Sequence, residues 1–157
     1  DYFVRLRHGV PVRAVHLEHD GARATDAALT ALEQARVCVI APSNPLVSIG
    51  PVRAMAGIDE MLRTRRDDVV AVSPIIGGAA LKGPADRMLV ELGHESSVVG
   101  VARLYREIAG TLVVDTADAH LAADVEALGM RCIVTDTIMA DPDVASALAR
   151  TVLDAVP

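Results

Sequence analysis

The sequence predicts an α/β fold, with a mainly parallel β-sheet flanked by helices in one domain over residues 1–157. Short apolar runs typical of strands alternate with segments of helical spacing, and the connections between them are short. Hydrophobic residues make up 52% of the chain but aromatic residues only 2%. The core must therefore consist of aliphatic side chains, as in a sheet covered by helices.

Five segments have the pattern of β-strands. The first, 10–17, alternates apolar and polar residues, which indicates an edge strand and a place where two copies of the chain could pair as a homodimer. The other four strands are expected at 37–40, 69–72, 112–114 and 131–134. Because helices separate them, these strands are expected to run parallel with helical crossovers.

Helical spacing fills the segments between the strands. Thr25 is expected to cap a helix that ends near Gln34. The buried side of this helix is predicted to carry Ala27, Leu29, Ala31 and Leu32. The remaining helices are expected at 58–65, 85–92, 98–108, 116–128 and 143–153. The last of these is predicted to bury Val144, Leu148, Val152 and Leu153.

Composition excludes several classes of function. A net charge of −6 and the scarcity of aromatic rings argue against binding nucleic acid, so small ligands are expected. No apolar run is long enough to span a membrane and no leader peptide is recognised, which favours a cytoplasmic protein. Cys38 and Cys132 are interpreted as buried small hydrophobes. The five histidines are interpreted as solvated surface residues.

Two loops that follow strands carry the unusual polar residues. The loop at 41–51, APSNPLVSIGP, contains the only asparagine of the chain, and the loop at 73–86, SPIIGGAALKGPAD, contains the only lysine. Ligands of a parallel sheet collect outside the carboxyl ends of its strands, so the two loops predict one phosphate-binding crevice. The small and hydrogen-bonding residues suited to this role include Ser43, Asn44, Ser48, Gly50 and Gly83.

Other interpretations of these residues stay open at this point. Neither loop matches a Walker A or GxGxxG motif, so both could be ordinary turns. Lys82 could be an exposed surface lysine, and Asp86 could stabilise the first turn of a helix. Asp115 and Asp136 stand at strand ends, where carboxylates either bind a metal or cap a helix.

Five segments, in the expected order, resemble the 2-phospho-L-lactate transferase family, which builds the phosphodiester of coenzyme F420. The segments are YFVR at 2–5, IAPSNPLVSIGPV at 40–52, VAVSPIIGGAALKGPAD at 70–86, GVARLYR at 100–106 and LGMRCIVTDTIM at 128–139. The resemblance extends over essentially the whole chain and implies a Rossmann-like sheet.

The resemblance also implies a magnesium-dependent transferase. Its donor would be a three-carbon acid linked to GDP, giving either a 2-phospholactate or a phosphoenolpyruvate unit. This unit would pass to the ribityl hydroxyl of the deazaflavin FO, with release of GMP. A second interpretation is a nucleotide-sugar-binding regulatory protein of the same superfamily without catalysis. That branch lacks the SNP and LKGPAD combination that this chain has.

The matched motifs imply roles for particular residues. Lys82 would neutralise the phosphoryl oxygens, and Asp86 would contact a metal-bound water or a hydroxyl. Gly50 would permit close approach of the backbone. The diphosphate or its sugar would be bound by Ser43, Asn44 and Ser48. The nucleotide end of the site would be shaped by Thr135, Asp136 and Thr137.

One part of the family pattern has no counterpart here. The family's glycine-rich N-terminal loop, with its associated acidic residues, is not found in these 157 residues. The sequence is therefore interpreted as the C-terminal portion of a larger transferase domain. The ligands of Mg²⁺ are not assigned, and the contacts with FO are expected in the N-terminal portion.

Overall fold

The computed structural model describes residues 1–18 and 21–156. Helices and strands alternate along the chain, as predicted. In chain order they are α1 (Asp26–Gln34), β1 (Cys38–Ile40), a π-helical turn (Pro45–Ile49), α2 (Gly50–Arg53), α3 (Ile58–Thr64), a 3₁₀ turn (Arg66–Asp68), β2 (Val69–Val72), β3 (Ile75–Ile76), β4 (Ala79–Ala80), α4 (Ala85–Glu91), α5 (Val98–Tyr105), β5 (Thr111–Asp115), a 3₁₀ segment (Thr116–Leu121), α6 (Ala122–Glu126), β6 (Arg131–Thr135) and α7 (Pro142–Leu153).

Four strands form one parallel sheet in the order β1-β2-β5-β6. The two short strands β3 and β4 form a separate antiparallel hairpin within the lysine loop, which the sequence did not predict. The predicted fold class, a Rossmann-like α/β fold with a mainly parallel sheet flanked by helices, is confirmed.

Side chains of the central strands alternate between two apolar layers, as the pleat of a strand requires. Ala71 and Leu112 face a large cluster that also contains side chains of α3, α4, α5 and α6. Val70 and Val113 face a smaller cluster with Leu148 of α7 and the residues just after that helix. Both faces of the central strands are therefore covered, as parallel sheets require.

The predicted edge strand at residues 10–17 is wrong. Residues 11–18 have no regular secondary structure and pair with no strand. Val12 N donates to the carboxylate of Glu91, so a side chain of α4 replaces the expected ladder partner. Pro11 also lacks the amide hydrogen that a ladder needs. The basis for dimerisation through this segment is removed with it.

Three details of the helices differ from the prediction. The segment expected as one helix at 116–128 begins as a 3₁₀ segment and becomes α-helical only at Ala122. In α1, only Leu29 and Leu32 of the four predicted residues pack against the core. Both are partly buried, and no residue of this helix is fully buried. In α7, Leu153 is exposed, whereas Leu148 and Val152 are buried.

Cys38 and two of the four described histidines have the degree of burial that the sequence predicted. Cys38 is buried and Cys132 is half-buried, with no disulfide between them. His16 and His120 are exposed, His8 and His94 are half-buried, and His19 lies outside the described residues. None of the helices in the described ranges has the length and apolar character needed to cross a membrane.

Candidate anion-binding site

A cavity of about 520 Å³ opens at the carboxyl ends of the parallel strands. Its walls come from the loops that follow β1, β2 and β6, and its volume lies within the range of small-ligand sites. Asn44 and Lys82 both line it, so the predicted meeting of the two loops in one crevice is confirmed. Its polar lining residues are Ser43, Asn44, Ser48, Ser73, Lys82 and Thr137.

Asn44 fixes the shape of the first loop through its own side chain. The amide oxygen accepts hydrogen bonds from Leu46 N at 2.9 Å and Val47 N at 3.3 Å, which caps the π-helical turn. The amide nitrogen lies 3.5 Å from the sulfur of Met88 in α4. The side chain thus joins the first loop to the helix that follows the lysine loop.

The lysine loop is held just before its hairpin and again at the turn of the hairpin. The hydroxyl of Ser73 donates to Ile75 O at 2.9 Å and accepts from Ile75 N at 3.1 Å, which fixes the turn out of β2. Gly77 N donates to the buried carboxylate of Asp118 at 2.9 Å. Gly83 lines the cavity with a φ of +74°. An L side chain would strain the backbone at that position, so glycine is required for this turn.

The third wall of the cavity depends on Asp115 at the end of β5. One carboxylate oxygen accepts from the backbone N and the hydroxyl of Thr137, both at 2.9 Å, and the other accepts from Ala117 N at 3.0 Å. Burial alone would raise the pKa of Asp115, but these hydrogen bonds and one from Thr116 lower it below its ordinary value. Asp115 therefore serves as an ionised cap that holds Thr137 in the cavity wall.

The electrostatics of the cavity differ from those of the whole chain. The chain carries a net charge of −6, yet the one charged residue among the cavity-lining residues is Lys82. Its ammonium group has no hydrogen-bond or salt-bridge partner within residues 1–18 and 21–156. A cavity with hydroxyls, an amide and an unpaired ammonium is suited to an anion.

The predicted site residues divide into two groups. Those that line the cavity are Ser43, Asn44, Ser48, Lys82, Gly83 and Thr137. Those that do not line it are Gly50, Asp86, Thr135 and Asp136. Gly50 begins α2 with an ordinary helical φ of −52°, and Asp86 lies in the first turn of α4. The ligand contacts expected of this second group stay predictions.

The sequence interpretation missed the apolar side of the cavity. Phe3, Leu81, Ile138 and Met139 line it alongside the polar residues. Phe3 belongs to the YFVR segment, and the other two contributing segments contain the motifs LKGPAD and TDTIM. These motifs carried the family resemblance, but an apolar residue in a loop gives no periodic signal that would assign it a role.

The described residues do not form a metal centre. Across residues 1–18 and 21–156, no three His, Cys, Asp or Glu side chains are grouped to hold a metal ion. The strand-end carboxylates are already engaged: Asp115 accepts from Thr137 and Ala117, Asp118 from Gly77 N, and Asp136 from the hydroxyl of Thr116 at 3.1 Å. The capping interpretation of Asp115 therefore fits the geometry, and the side chains of residues 1–18 and 21–156 form no group that would hold Mg²⁺ by protein ligands alone.

A Rossmann-like sheet with a cavity at its carboxyl edge defines the class of α/β proteins that bind small ligands outside the ends of their strands. The profile of the family described as "2-phospho-L-lactate transferase CofD" matches residues 1–151. The chain belongs to this family.

Individual relatives agree with this assignment. The phosphoenolpyruvate transferase of Streptomyces griseus subsp. griseus is 39% identical over 156 residues, which cover 98% of this chain and 49% of the relative. The 2-phospho-L-lactate transferase of Methanocaldococcus jannaschii is 33% identical over 155 residues, which cover 98% and 48%. The phosphoenolpyruvate transferase of Mycolicibacterium smegmatis is 34% identical, with 98% and 47% covered. The chain thus spans about half the length of these relatives.

Proposed function

We propose that this chain forms the phosphate-binding part of a transferase in coenzyme F420 biosynthesis. The enzyme moves a phospho-three-carbon-acid unit, 2-phospholactate or phosphoenolpyruvate, from a GDP-linked donor to the ribityl hydroxyl of FO. The observation that carries the proposal is the convergence of the Asn44 and Lys82 loops on one cavity whose lining holds a single charge, a positive one.

In the proposed reaction the FO hydroxyl oxygen forms a bond to the phosphorus that carries the acid, and its O–H bond breaks with release of the proton to solvent. The bond from that phosphorus to the bridging oxygen of the diphosphate breaks, and GMP leaves with the electron pair. Lys82 offsets negative charge on the phosphoryl oxygens as it builds up. Ser43 and Ser48 donate hydrogen bonds to the diphosphate.

Asn44 has a different task in this proposal. Its amide oxygen already accepts from Leu46 N and Val47 N, so that atom holds the loop rather than the ligand. The remaining capacity of the side chain is its amide nitrogen, which contacts the weak acceptor sulfur of Met88. We therefore assign Asn44 to shaping the diphosphate pocket, with its NH₂ group as the donor to a bound oxygen.

Magnesium belongs to the proposal as an ion carried on the diphosphate. Mg²⁺ in nucleotide enzymes commonly keeps several waters and uses substrate phosphates together with one or two carboxylates. Because the described residues offer no metal cluster, we assign no step of the reaction to a metal held by this chain.

The proposal is tested by titrating the 157-residue protein with GDP and with UDP-glucose, with Mg²⁺ present. We expect GDP to bind more tightly than UDP-glucose. The reverse order would contradict the transferase and favour the nucleotide-sugar-binding regulator. A second assay mixes the protein with the GDP-linked donor and FO and measures GMP and the new phosphodiester by mass spectrometry.

A further inference from the structure

The position of Lys82 in the cavity depends on the short hairpin that precedes it. Lys82 is exposed, and its ammonium group has no hydrogen-bond or salt-bridge partner among the described residues. Only the backbone on either side can therefore direct this side chain. Strand β4 ends at Ala80, two residues before Lys82, and pairs with β3 over just two residues. Because so short a hairpin is not stable by itself, contacts from outside must hold it.

The turn of this hairpin is anchored by two side chains from other parts of the chain. It consists of Gly77 and Gly78, with φ of +57° and +81°, as in the two-residue turns that close hairpins. Gly77 N donates to the carboxylate of Asp118 at 2.9 Å, and the hydroxyl of Ser96 donates to Gly78 O at 2.9 Å. None of these four residues lines the cavity. Whatever they contribute to a ligand is therefore indirect.

Asp118 is the stronger of the two anchors. It lies in the 3₁₀ segment after β5 and is only 1% exposed, whereas Ser96 is half-buried. A hydrogen bond from a backbone N–H to a carboxylate is about twice as strong as one between neutral groups. Burial of a carboxylate is costly unless it is hydrogen-bonded, and this one is bonded to the turn of the hairpin. Loss of Asp118 would therefore release the turn.

The segment that carries Asp118 is fixed by Asp115. One oxygen of the Asp115 carboxylate accepts from Ala117 N at 3.0 Å, which sets the start of the 3₁₀ segment. Its other oxygen accepts from the backbone N and the hydroxyl of Thr137. Residues 115–118 thus connect the cavity wall that contains Thr137 with the hairpin that leads to Lys82.

We infer that Asp118 is a positioning residue for Lys82, acting through the Gly77–Gly78 turn, and that it sets the place where the ammonium group meets an anion. The identity of that anion, the diphosphate of the donor, rests on the proposed function. Ile75 of β3 is fully buried and pairs with Ala80 of β4, so the base of the hairpin is fixed in the core. A turn without its anchor would let β4 shift against this base, and Lys82 would shift with it.

The test follows Lys82 directly in the 157-residue protein. Backbone order parameters of residues 79–83 are measured by NMR, and GDP affinity is measured by calorimetry. The variants are Asp118→Ala, Asp118→Leu and Asp118→Asn. Asp118→Leu lacks the acceptor as the alanine variant does but fills the buried space. The control is Asp59→Ala, which also removes a hydrogen-bonded carboxylate, but from α3 and outside the cavity. Urea unfolding verifies that each variant is folded.

We expect Asp118→Ala and Asp118→Leu to lower the order parameter at Lys82 from about 0.85 to below about 0.6. GDP binding should weaken at least about fivefold in both, because Gly77 N loses its acceptor. Asp118→Asn should restore both quantities, since its amide oxygen can accept from Gly77 N. Asp59→Ala should match the wild type in both. The double variant of Asp118→Ala and Lys82→Met should bind GDP like Lys82→Met alone, because Asp118 acts only through the lysine.

An unchanged order parameter at Lys82 in the alanine and leucine variants would overturn the inference. So would additive losses of GDP affinity in the double variant, or an asparagine variant as disordered at Lys82 as the alanine variant. The same disorder in Asp59→Ala would overturn it too, because general destabilisation would then explain the effect. The proposed function fails separately: if Asp118→Ala disorders Lys82 but the wild type binds no GDP, the positioning role stands and the donor assignment does not.

Discussion

The carboxylate of Asp115 accepts two hydrogen bonds from one residue, Thr137, through its backbone N and its hydroxyl, each at 2.9 Å. Asp115 ends β5 and Thr137 follows β6, so the contact joins the ends of two adjacent strands. Thr137 lines the cavity, and the buried carboxylate behind it sets the position of this wall. An acidic residue at the end of β5 therefore supports the wall of the candidate anion site without lining it.

Asp115→Asn should reduce both stability and ligand affinity. The new amide NH₂ can face a donor where a carboxylate oxygen accepted, and leaving buried donors unpaired costs about 1–3 kcal/mol. We expect a loss of that size in the free energy of unfolding, measured with urea at pH 7, together with weaker GDP binding. The control is Asp136→Asn, an exposed carboxylate with one hydrogen bond, for which we expect less than about 0.5 kcal/mol. Equal losses in the free energy of unfolding for the two substitutions would contradict this role of Asp115.

Acid should weaken the fold partly through this same carboxylate. Hydrogen bonding holds the pKa of folded Asp115 below its ordinary value of 3.8, despite burial. Its contribution is therefore present above about pH 4 and is lost as the pH falls through the lower, folded pKa. Asp59 adds to this loss. Burial alone would raise the pKa of Asp59, but hydrogen bonds and ion pairs with Arg53 and Arg63 outweigh burial and lower it below its ordinary value.

Urea midpoints measured between pH 2 and pH 6 check this prediction. The wild type should lose stability below about pH 4, and Asp115→Asn should lose less over the same interval. Superimposable pH profiles for the two proteins would show that Asp115 is not a source of the acid sensitivity.

Lys82→Met should reduce GDP affinity at least about tenfold, because a hydrogen bond to a charged group contributes about 1.5–3 kcal/mol. Stability should change little, since Lys82 is exposed and has no partner among the described residues. Calorimetry at two salt concentrations measures both the affinity and its salt dependence, which should become weaker in the variant. Arg150→Met removes an exposed cation from α7 and serves as the control. GDP binding and transfer at wild-type levels in Lys82→Met would remove Lys82 from the site.

Two substitutions at Asn44 separate its structural role from its ligand role. Asn44→Ala removes the cap of the π-helical turn and should lower the free energy of unfolding by about 1 kcal/mol. Asn44→Asp keeps the capping oxygen but adds a negative charge beside the proposed anion, so stability should be retained while GDP affinity falls. Thermal unfolding and calorimetry give the two quantities. If Asn44→Asp binds GDP as tightly as the wild type, no anion lies near this side chain.

The two thiols should resist modification in the folded protein. Burial, together with the nearby Glu126 carboxylate, raises the pKa of Cys132 to about 11. Cys38 is buried at the start of β1. At pH 8 we expect neither to react with a thiol reagent within minutes, and both to react in denaturant. Rapid reaction of one thiol in the native state would show that its strand opens locally.

Local pattern was sufficient for the sheet because each parallel strand here contains at least three consecutive apolar residues. Val69–Val72 is buried along its whole length, and that burial is what an apolar sequence without polar interruption predicts. The same reasoning failed at residues 10–17. Their alternating pattern is that of a strand, but a strand exists only if a partner backbone is available, and here Glu91 supplies a side chain instead.

The sequence by itself determined the parallel α/β arrangement and the meeting of the loops that carry Asn44 and Lys82, because parallel strands bring their carboxyl ends to one edge. Only the tertiary structure decided which residues line the cavity. Asp115 and Asp118 hold the loops around the cavity in place, because N–H and hydroxyl donors of those loops bind their carboxylates. Phe3 lines the cavity because Arg87 of α4 binds the neighbouring Tyr2 hydroxyl, a contact between residues far apart in the chain that no local pattern encodes.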